Sequence, residues 1–403
     1  MSRKVSLSVA VTVTLIAMAV TFSITMVLSM NMFNNTVTSV KNRERMYNKL
    51  SEIDRYVRAN EYFDINEDTL NDTIASGYML GISDKYARYY SAQAYNELVG
   101  TQSGRLMGIG VSVVKDASSG YARIIRVYAN SPAEDLGFEV GGFITSIGDT
   151  SVKNLADTAA IQSALLGEEG SVVTIQYLTP AREEVTQDVT RANYTVSTVF
   201  GQMIGDSCAY ICIDDFSAST GTEFRNTVDS MRSQGATSFV FDLRNNPGSN
   251  LSSALIAADY CVPSGLMAQG QYKDGTVEDL RVSDDTEITQ PMVCIVNSGT
   301  AGGAELFANT LRKMGGATLV GTATAGKGVV LSDPQSLSDG SAIVITRGLI
   351  LDNEGQNWNG TGLTPDIDAA LSADEASSYY DFTVDTDPQI TRAVSAAQAL
   401  TGQ

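Results

Sequence analysis

The 403-residue sequence contains no histidine. That absence removes every relay in which an imidazole activates serine or cysteine, every imidazole-bound zinc or haem, and any histidine pH switch. Hydrolytic chemistry in such a chain has to take lysine or a carboxylate as its base. Basic residues are few, 27 Lys and Arg against 46 Asp and Glu, for a formal charge of −19. Phosphate backbones repel a chain this acidic, so no nucleic-acid partner is expected. Cysteine is also scarce: there are four and no CxxC pair, too sparse for a disulfide scaffold. Cys208 and Cys212 share a face of the strand-like string CAYIC, while Cys261 and Cys294 lie in apolar surroundings. All four read as small buried hydrophobes, with an extracellular disulfide as the alternative. No metal-ligand cluster, phosphate loop or flavin fingerprint occurs, so neither metal nor cofactor is expected.

Charge is missing altogether from one stretch. After Arg3 and Lys4 the next charged residue is Lys41, and residues 5–30 are mostly Val, Leu, Ile, Met and Ala. At about 1.5 Å per residue this run reaches roughly 39 Å, against a hydrocarbon core of about 30 Å. It exceeds the apolar region of a cleavable signal peptide, about 7–15 residues, and no A-x-A site ends it. It reads as an uncleaved signal anchor over 1–40. The two basic residues before it place the N-terminus in the cytoplasm and the bulk of the chain outside the cell membrane. An N-terminal helical region follows over 41–103. Its first part, 41–64, is helical, with Met46, Leu50, Ile53, Tyr56 and Val57 near one face. That stripe packs on its own domain or makes a homodimer contact. Two short helices are expected within 64–98, separated by ISDKYARYY, whose Ser-Asp pair has capping chemistry.

Over 104–195 the texture changes to short strands and glycine-rich turns: MGIGVSVV, YARIIRVY, the short helix SPAEDLGFEVG, the hairpin-like GFITSIGDTSV, the amphipathic LADTAAIQSALLGEEG and the strand VVTIQYL. This order, with the strings GIGV, NSPAEDLG and ALLGEEGSVVTI, resembles a PDZ domain. The resemblance makes Gly108, Ile109, Gly110 and Val111 a loop that binds a peptide's terminal carboxylate, the tail adding as a strand between a sheet edge and a helix. Glycines there suit close approach of backbone N–H groups to an anion. Val140-Gly141-Gly142 departs from the Pro-Gly-Asp string that many relatives carry.

After a linker over 194–205, the pattern over 196–403 becomes α/β. Strand, glycine-rich turn and helix recur in TSFVFDL-RNNPGSN-LSSALIAADYCV and in PMVCIVN-SGTAGG-AELFANTLRKMG, which puts both turns at carboxyl ends of strands, where open α/β sheets gather their sites. The near-continuous apolar TSFVFDL reads as a strand buried on both faces. FDLRNNPGSN, the segment from VCIVNSGTAGG to TATAGKG, and GTGLTPDI resemble the C-terminal processing peptidases, or tail-specific proteases, which also carry an inserted PDZ domain after an N-terminal helical region. The expected architecture is an α/β peptidase core with an inserted PDZ-like β-rich domain, an N-terminal helical region and one transmembrane helix.

The resemblance implies a serine nucleophile, a lysine base and a glutamine that orients the lysine. A lysine buried near the nucleophile loses its charge readily and then accepts the serine proton. The lysine is present as Lys327, the turn as Asn246, Pro247 and Gly248, and the glutamate after the nucleophile as Glu305. Three residues before that glutamate, where the family has its serine, stands Gly302. Four residues after the lysine, where the family has glutamine, stands Leu331. The backbone N–H groups of Gly248 and Gly303 occupy the expected oxyanion positions. Without a hydroxyl at 302 no acyl-enzyme forms there, and Lys327 is free for a structural role such as donating to strand-end carbonyls.

The implied protein is therefore a membrane-anchored, extracytoplasmic member of this serine-type peptidase family that binds C-terminal tails of exported proteins without turnover. Pairing with a second copy or with an active relative is a further expectation. The alternative is proteolysis through a relocated hydroxyl, Thr300 or Ser298.

Overall fold

A computed structural model describes residues 7–102, 104–284 and 287–401 of the chain. Arg3 and Lys4, on which the expected orientation rests, lie outside the described residues. The chain divides into two compact units, Met1–Asn71 and Asp72–Gln403. In the first, a single helix runs through Leu7–Asn60. Its segment Val11–Met30 is fully unburied and is long and apolar enough to cross a membrane. Beyond it, Met46, Leu50, Ile53 and Val57 remain 37–51% exposed, so the expected stripe exists but covers no core. Arg58, held by Asp54 and Glu67, ties the helix end to the start of the next helix, Glu67–Gly81.

The second unit contains the PDZ-like sheet and the α/β core. The PDZ-like sheet has the order Val111–Lys115, Ala122–Val127, Phe143–Ile147, Val172–Leu178, Glu184–Thr190, with Thr150–Ser151 pairing beside the third strand. Alternation builds it: Val173, Ile175 and Tyr177 point into the core while the residues between them are exposed. The helix Thr158–Leu165, capped by the Asp157 carboxylate on the Ala160 N–H at 2.9 Å, closes this core with Ile161 and Leu165.

The core sheet has six strands in the order Val199–Ile204, Cys208–Ile213, Ser238–Asp242, Met292–Val296, Thr318–Gly321, Ile367–Asp368. All neighbours are parallel except the first pair. Helices Thr220–Ser233, Leu251–Asp259 and Gly303–Gly315 cover one face and Pro388–Thr401 the other. Burial on both faces explains why Ser238–Asp242 and Met292–Val296 read as unbroken apolar runs. The last helix is locked by Arg244, whose guanidinium reaches Asp242 on one side and Asp387 and Gln389 on the other. Buried charges of this kind persist only when every one is paired.

Three expectations are corrected. The 194–205 linker is structured: Ala192–Thr195 pairs with Arg105–Gly108, and Val199–Ile204 is the antiparallel edge of the core sheet, its pattern masked because exposure along it does not alternate. DGSAIVITRG, whose apolar run reads as one strand, is two, Ala342–Val344 and Thr346–Asp352, in different sheets. The Ser-Asp pair in ISDKYARYY caps no helix: Asp84 accepts from the Tyr86 N–H at 3.0 Å within its own turn and from the N–H and hydroxyl of Thr346 at 2.8 and 3.0 Å, tethering the helical region to the core.

Candidate active site

Two turns at neighbouring strand ends meet face to face. One, Asn245-Asn246-Pro247-Gly248, follows Ser238–Asp242; the other, 297–302, joins Met292–Val296 to the helix Gly303–Gly315. Asn297 and Asn245 exchange hydrogen bonds at 2.9 and 3.0 Å, the Ala301 N–H donates to Asn246 O at 2.9 Å, and the Gly303 N–H donates to Gly248 O at 3.0 Å. Contact is so close that Gly248, at φ +63°, has no room for a side chain: a Cβ would lie 2.0 Å from Ala301 O.

Gly302 turns the chain from strand into helix with φ 52° and ψ −116°. This is the strained strand-to-helix elbow on which a nucleophile is presented in other hydrolases. A Cβ at this position would stand 3.6 Å from Lys327 Cδ and 3.0 Å from Gly248 O. The structure therefore brings Gly302 and Lys327 together, with the direction a side chain would take leading to the lysine. Both line a cleft of about 370 Å³ whose walls include Ser249, Leu251, Leu255, Leu280, Val329 and Leu331.

Glu305 holds the arrangement. Its carboxylate is fully buried and accepts from the Gly302 N–H at 3.1 Å, the Lys327 N–H at 2.7 Å, the Gly326 N–H at 2.8 Å and the Thr324 hydroxyl at 2.5 Å. One side chain thus fastens the elbow to the lysine turn. On the far side of that turn the Tyr86 hydroxyl donates to Gly326 O at 2.8 Å. No local pattern marks Tyr86, since its partner is 240 residues away.

The Lys327 amine is displaced toward neutrality by burial and by Arg88, while Asp215 and Glu305 oppose the shift. Its Nζ makes no hydrogen bond or ion pair among the described residues, so the expected bonds to strand-end carbonyls are not formed; the Tyr86 ring centroid is 6.0 Å away. Asp215, absent from the sequence expectations, sits beside it electrostatically. Burial raises its carboxyl above the usual range although it accepts from Ser249 N at 2.9 Å, Ser249 Oγ at 2.6 Å and Phe216 N at 2.8 Å.

Two further expectations fail on geometry. The Gly248 N–H donates to Asn246 Oδ1 at 2.8 Å and the Gly303 N–H to Gly248 O, so neither expected oxyanion donor is free. The Thr300 hydroxyl is fully buried, donating to Leu243 O at 2.7 Å and accepting from Asn297 N at 3.0 Å, which turns it away from the cleft. Ser298 is exposed on the same turn.

At the PDZ-like sheet, Gly108, Ile109, Gly110 and Val111 lead into the edge strand, with Gly110 at φ +89° and a Cβ there 2.1 Å from Ser131. The groove between this strand and the helix Thr158–Leu165 is bridged by the protein itself. Gln162 Nε2 donates to Val111 O at 2.9 Å, the Lys115 N–H donates to Thr158 Oγ1 at 2.9 Å, and Gly108 pairs with Leu166.

A mostly parallel sheet with a nucleophile-type elbow, a lysine beside it and a PDZ-like domain in the same unit has the layout of a lysine-dependent serine-peptidase scaffold. Residues 207–369 match the model of peptidase family S41 and residues 123–178 that of the PDZ domain. The carboxy-terminal processing protease CtpA of Bacillus subtilis is 27% identical over 334 residues, 83% of this chain and 71% of that protein. A carboxyl-terminal-processing protease of Synechocystis is 31% identical over 66% of this chain and 63% of its own length. The fold is shared with a putative S41 protease from Bacteroides fragilis at a TM-score of 0.55 and 19% identity, covering 85% of this chain and 92% of that one. The chain belongs to peptidase family S41, as a C-terminal processing peptidase type with a PDZ domain.

Proposed function

We propose that this chain is a membrane-anchored, extracytoplasmic family member that captures protein C-terminal tails and does not cleave them. The observation that carries the reading is Gly302: a glycine occupies the elbow from which the nucleophile would reach Lys327. Leu331 in place of the orienting glutamine, and the internally bonded N–H groups of Gly248 and Gly303, support it. A relocated nucleophile at Thr300 has against it the buried hydroxyl committed to Leu243 O. The apolar exposed segment Val11–Met30 supports the anchor, and the exposed stripe from Met46 to Val57 is the surface assigned to pairing with a second copy or an active relative. The domain limits proposed are 1–40, 41–103, 104–195 and 196–403.

Capture by the PDZ-like groove requires a tail strand to displace Gln162 from Val111 O and Thr158 from the Lys115 N–H. A ten-residue peptide with a free C-terminus is expected to bind at least about tenfold more tightly than its amidated form, since one charge-assisted contact is worth about 1.5–3 kcal/mol. Gln162→Ala is expected to tighten binding of the free-acid peptide several-fold. Fluorescence anisotropy titration checks both, and equal affinity for acid and amide contradicts carboxylate capture.

A further inference from the structure

We propose that Lys327, facing a cleft emptied of its family hydroxyl, is a nucleophilic amine that condenses with small aldehydes of apolar body to form an imine. The geometry comes first. The Nζ has no hydrogen-bond or ion-pair partner among the described residues, and it opens into the cleft of about 370 Å³ bounded by Leu251, Leu255, Leu280 and Val329. At Gly302, where a Cβ would stand 3.6 Å from Lys327 Cδ, there is no side chain. The side formed by Leu and Val suits a hydrocarbon body, Ser249, Asn250, Ser252, Ser332 and Asp333 supply polar groups around it, and the cleft volume is in the range that holds a small organic molecule.

The charged groups around the amine favour the same chemistry. Asp215, Glu305 and Arg88 act on it electrostatically, and Asp333 also lines the cleft. Glu305 is fully engaged by its four donors. Asp215 is buried with its carboxyl raised toward the protonated state, and its hydrogen-bond partner Ser249 stands at the cleft wall. In the reaction the amine lone pair attacks the carbonyl carbon and one of the two amine protons passes from nitrogen to the carbonyl oxygen, giving a neutral carbinolamine. Asp215, through Ser249, protonates that hydroxyl; water leaves, and the nitrogen gives up its remaining proton by the same path to the Asp215 carboxylate, yielding a neutral imine with the acid regenerated. Desolvation of a lysine is the general route to such amines. The inference stands apart from tail capture by the PDZ-like groove.

The test uses the full-length chain in detergent at neutral pH, benzaldehyde as the probe, cyanoborohydride to reduce the imine, and peptide mapping by mass spectrometry. Lys327 is expected to be alkylated at least about tenfold faster than the exposed Lys41, Lys49 and Lys273. The fast phase is expected to vanish in Lys327→Met and in Lys327→Arg, and to slow by about tenfold in Asp215→Asn. Alkylation spread evenly over the lysines of the wild-type chain, or a fast phase that survives Lys327→Met, overturns the proposal.

Discussion

Replacing Glu305 by alanine lowers the stability of the folded chain by on the order of 4–6 kcal/mol, because at least three buried donors lose their partner at about 1–3 kcal/mol each. The donors are the N–H groups of Gly302, Gly326 and Lys327 and the hydroxyl of Thr324, all within 2.5–3.1 Å of one carboxylate that is itself shielded from water. Such a loss approaches the whole stability of an average domain, about 5–15 kcal/mol. Glu305→Gln keeps one acceptor oxygen but turns an NH2 group toward donors, so it falls between wild type and alanine. Trp358, the single tryptophan, is 4% exposed in the same core cluster as Ala304, Leu306 and Phe307 and reports the unfolding directly. Its fluorescence midpoint in urea is expected to fall steeply for Glu305→Ala; a midpoint within experimental error of wild type contradicts the clamp.

The second large effect concerns chemistry. Gly302→Ser with Leu331→Gln is expected to convert a chain that a fluorophosphonate probe ignores into one that the probe labels at residue 302. The elbow already has the backbone direction that puts a serine Cβ 3.6 Å from Lys327 Cδ, and Lys327 is already displaced toward the neutral amine. Two terms limit the gain. A serine at φ 52°, ψ −116° carries strain of about 1–3 kcal/mol, so the variant unfolds earlier than wild type. The N–H groups of Gly248 and Gly303 are spoken for, and loss of an oxyanion donor lowers turnover by about 10²–10³-fold. Labelling is therefore expected to rise far more than peptide hydrolysis. Adding Lys327→Met is expected to abolish the gained labelling; labelling that persists without the lysine contradicts its role as base.

Much of this site was legible in the sequence because its logic is local. An apolar strand, a glycine turn and a helix within a short stretch define each half, and the resemblance to the processing peptidases assigns Gly302, Glu305 and Lys327 by their positions along the chain. The turn at Gly248 is similarly readable, since only glycine tolerates a backbone 2.0 Å from a would-be Cβ. What escaped were relations between distant segments. Asp215 with Ser249, Tyr86 with Gly326, Asp84 with Thr346 and Arg244 with Asp387 join residues tens to hundreds of positions apart, and nothing in either partner's neighbourhood announces the other. The edge strand Val199–Ile204 was hidden by its mixed exposure, and the commitment of the oxyanion N–H groups depends on the spacing between two turns rather than on their residue types.

The absence of a nucleophile is tested most directly by incubating the unaltered full-length chain with a fluorophosphonate probe and unfolded casein and reading both covalent mass gain and fragment release. No adduct and no fragments are expected. An adduct on any serine or threonine, whether Thr300, Ser298 or Ser249 on its Asp215 partner, accompanied by casein cleavage, would contradict the account.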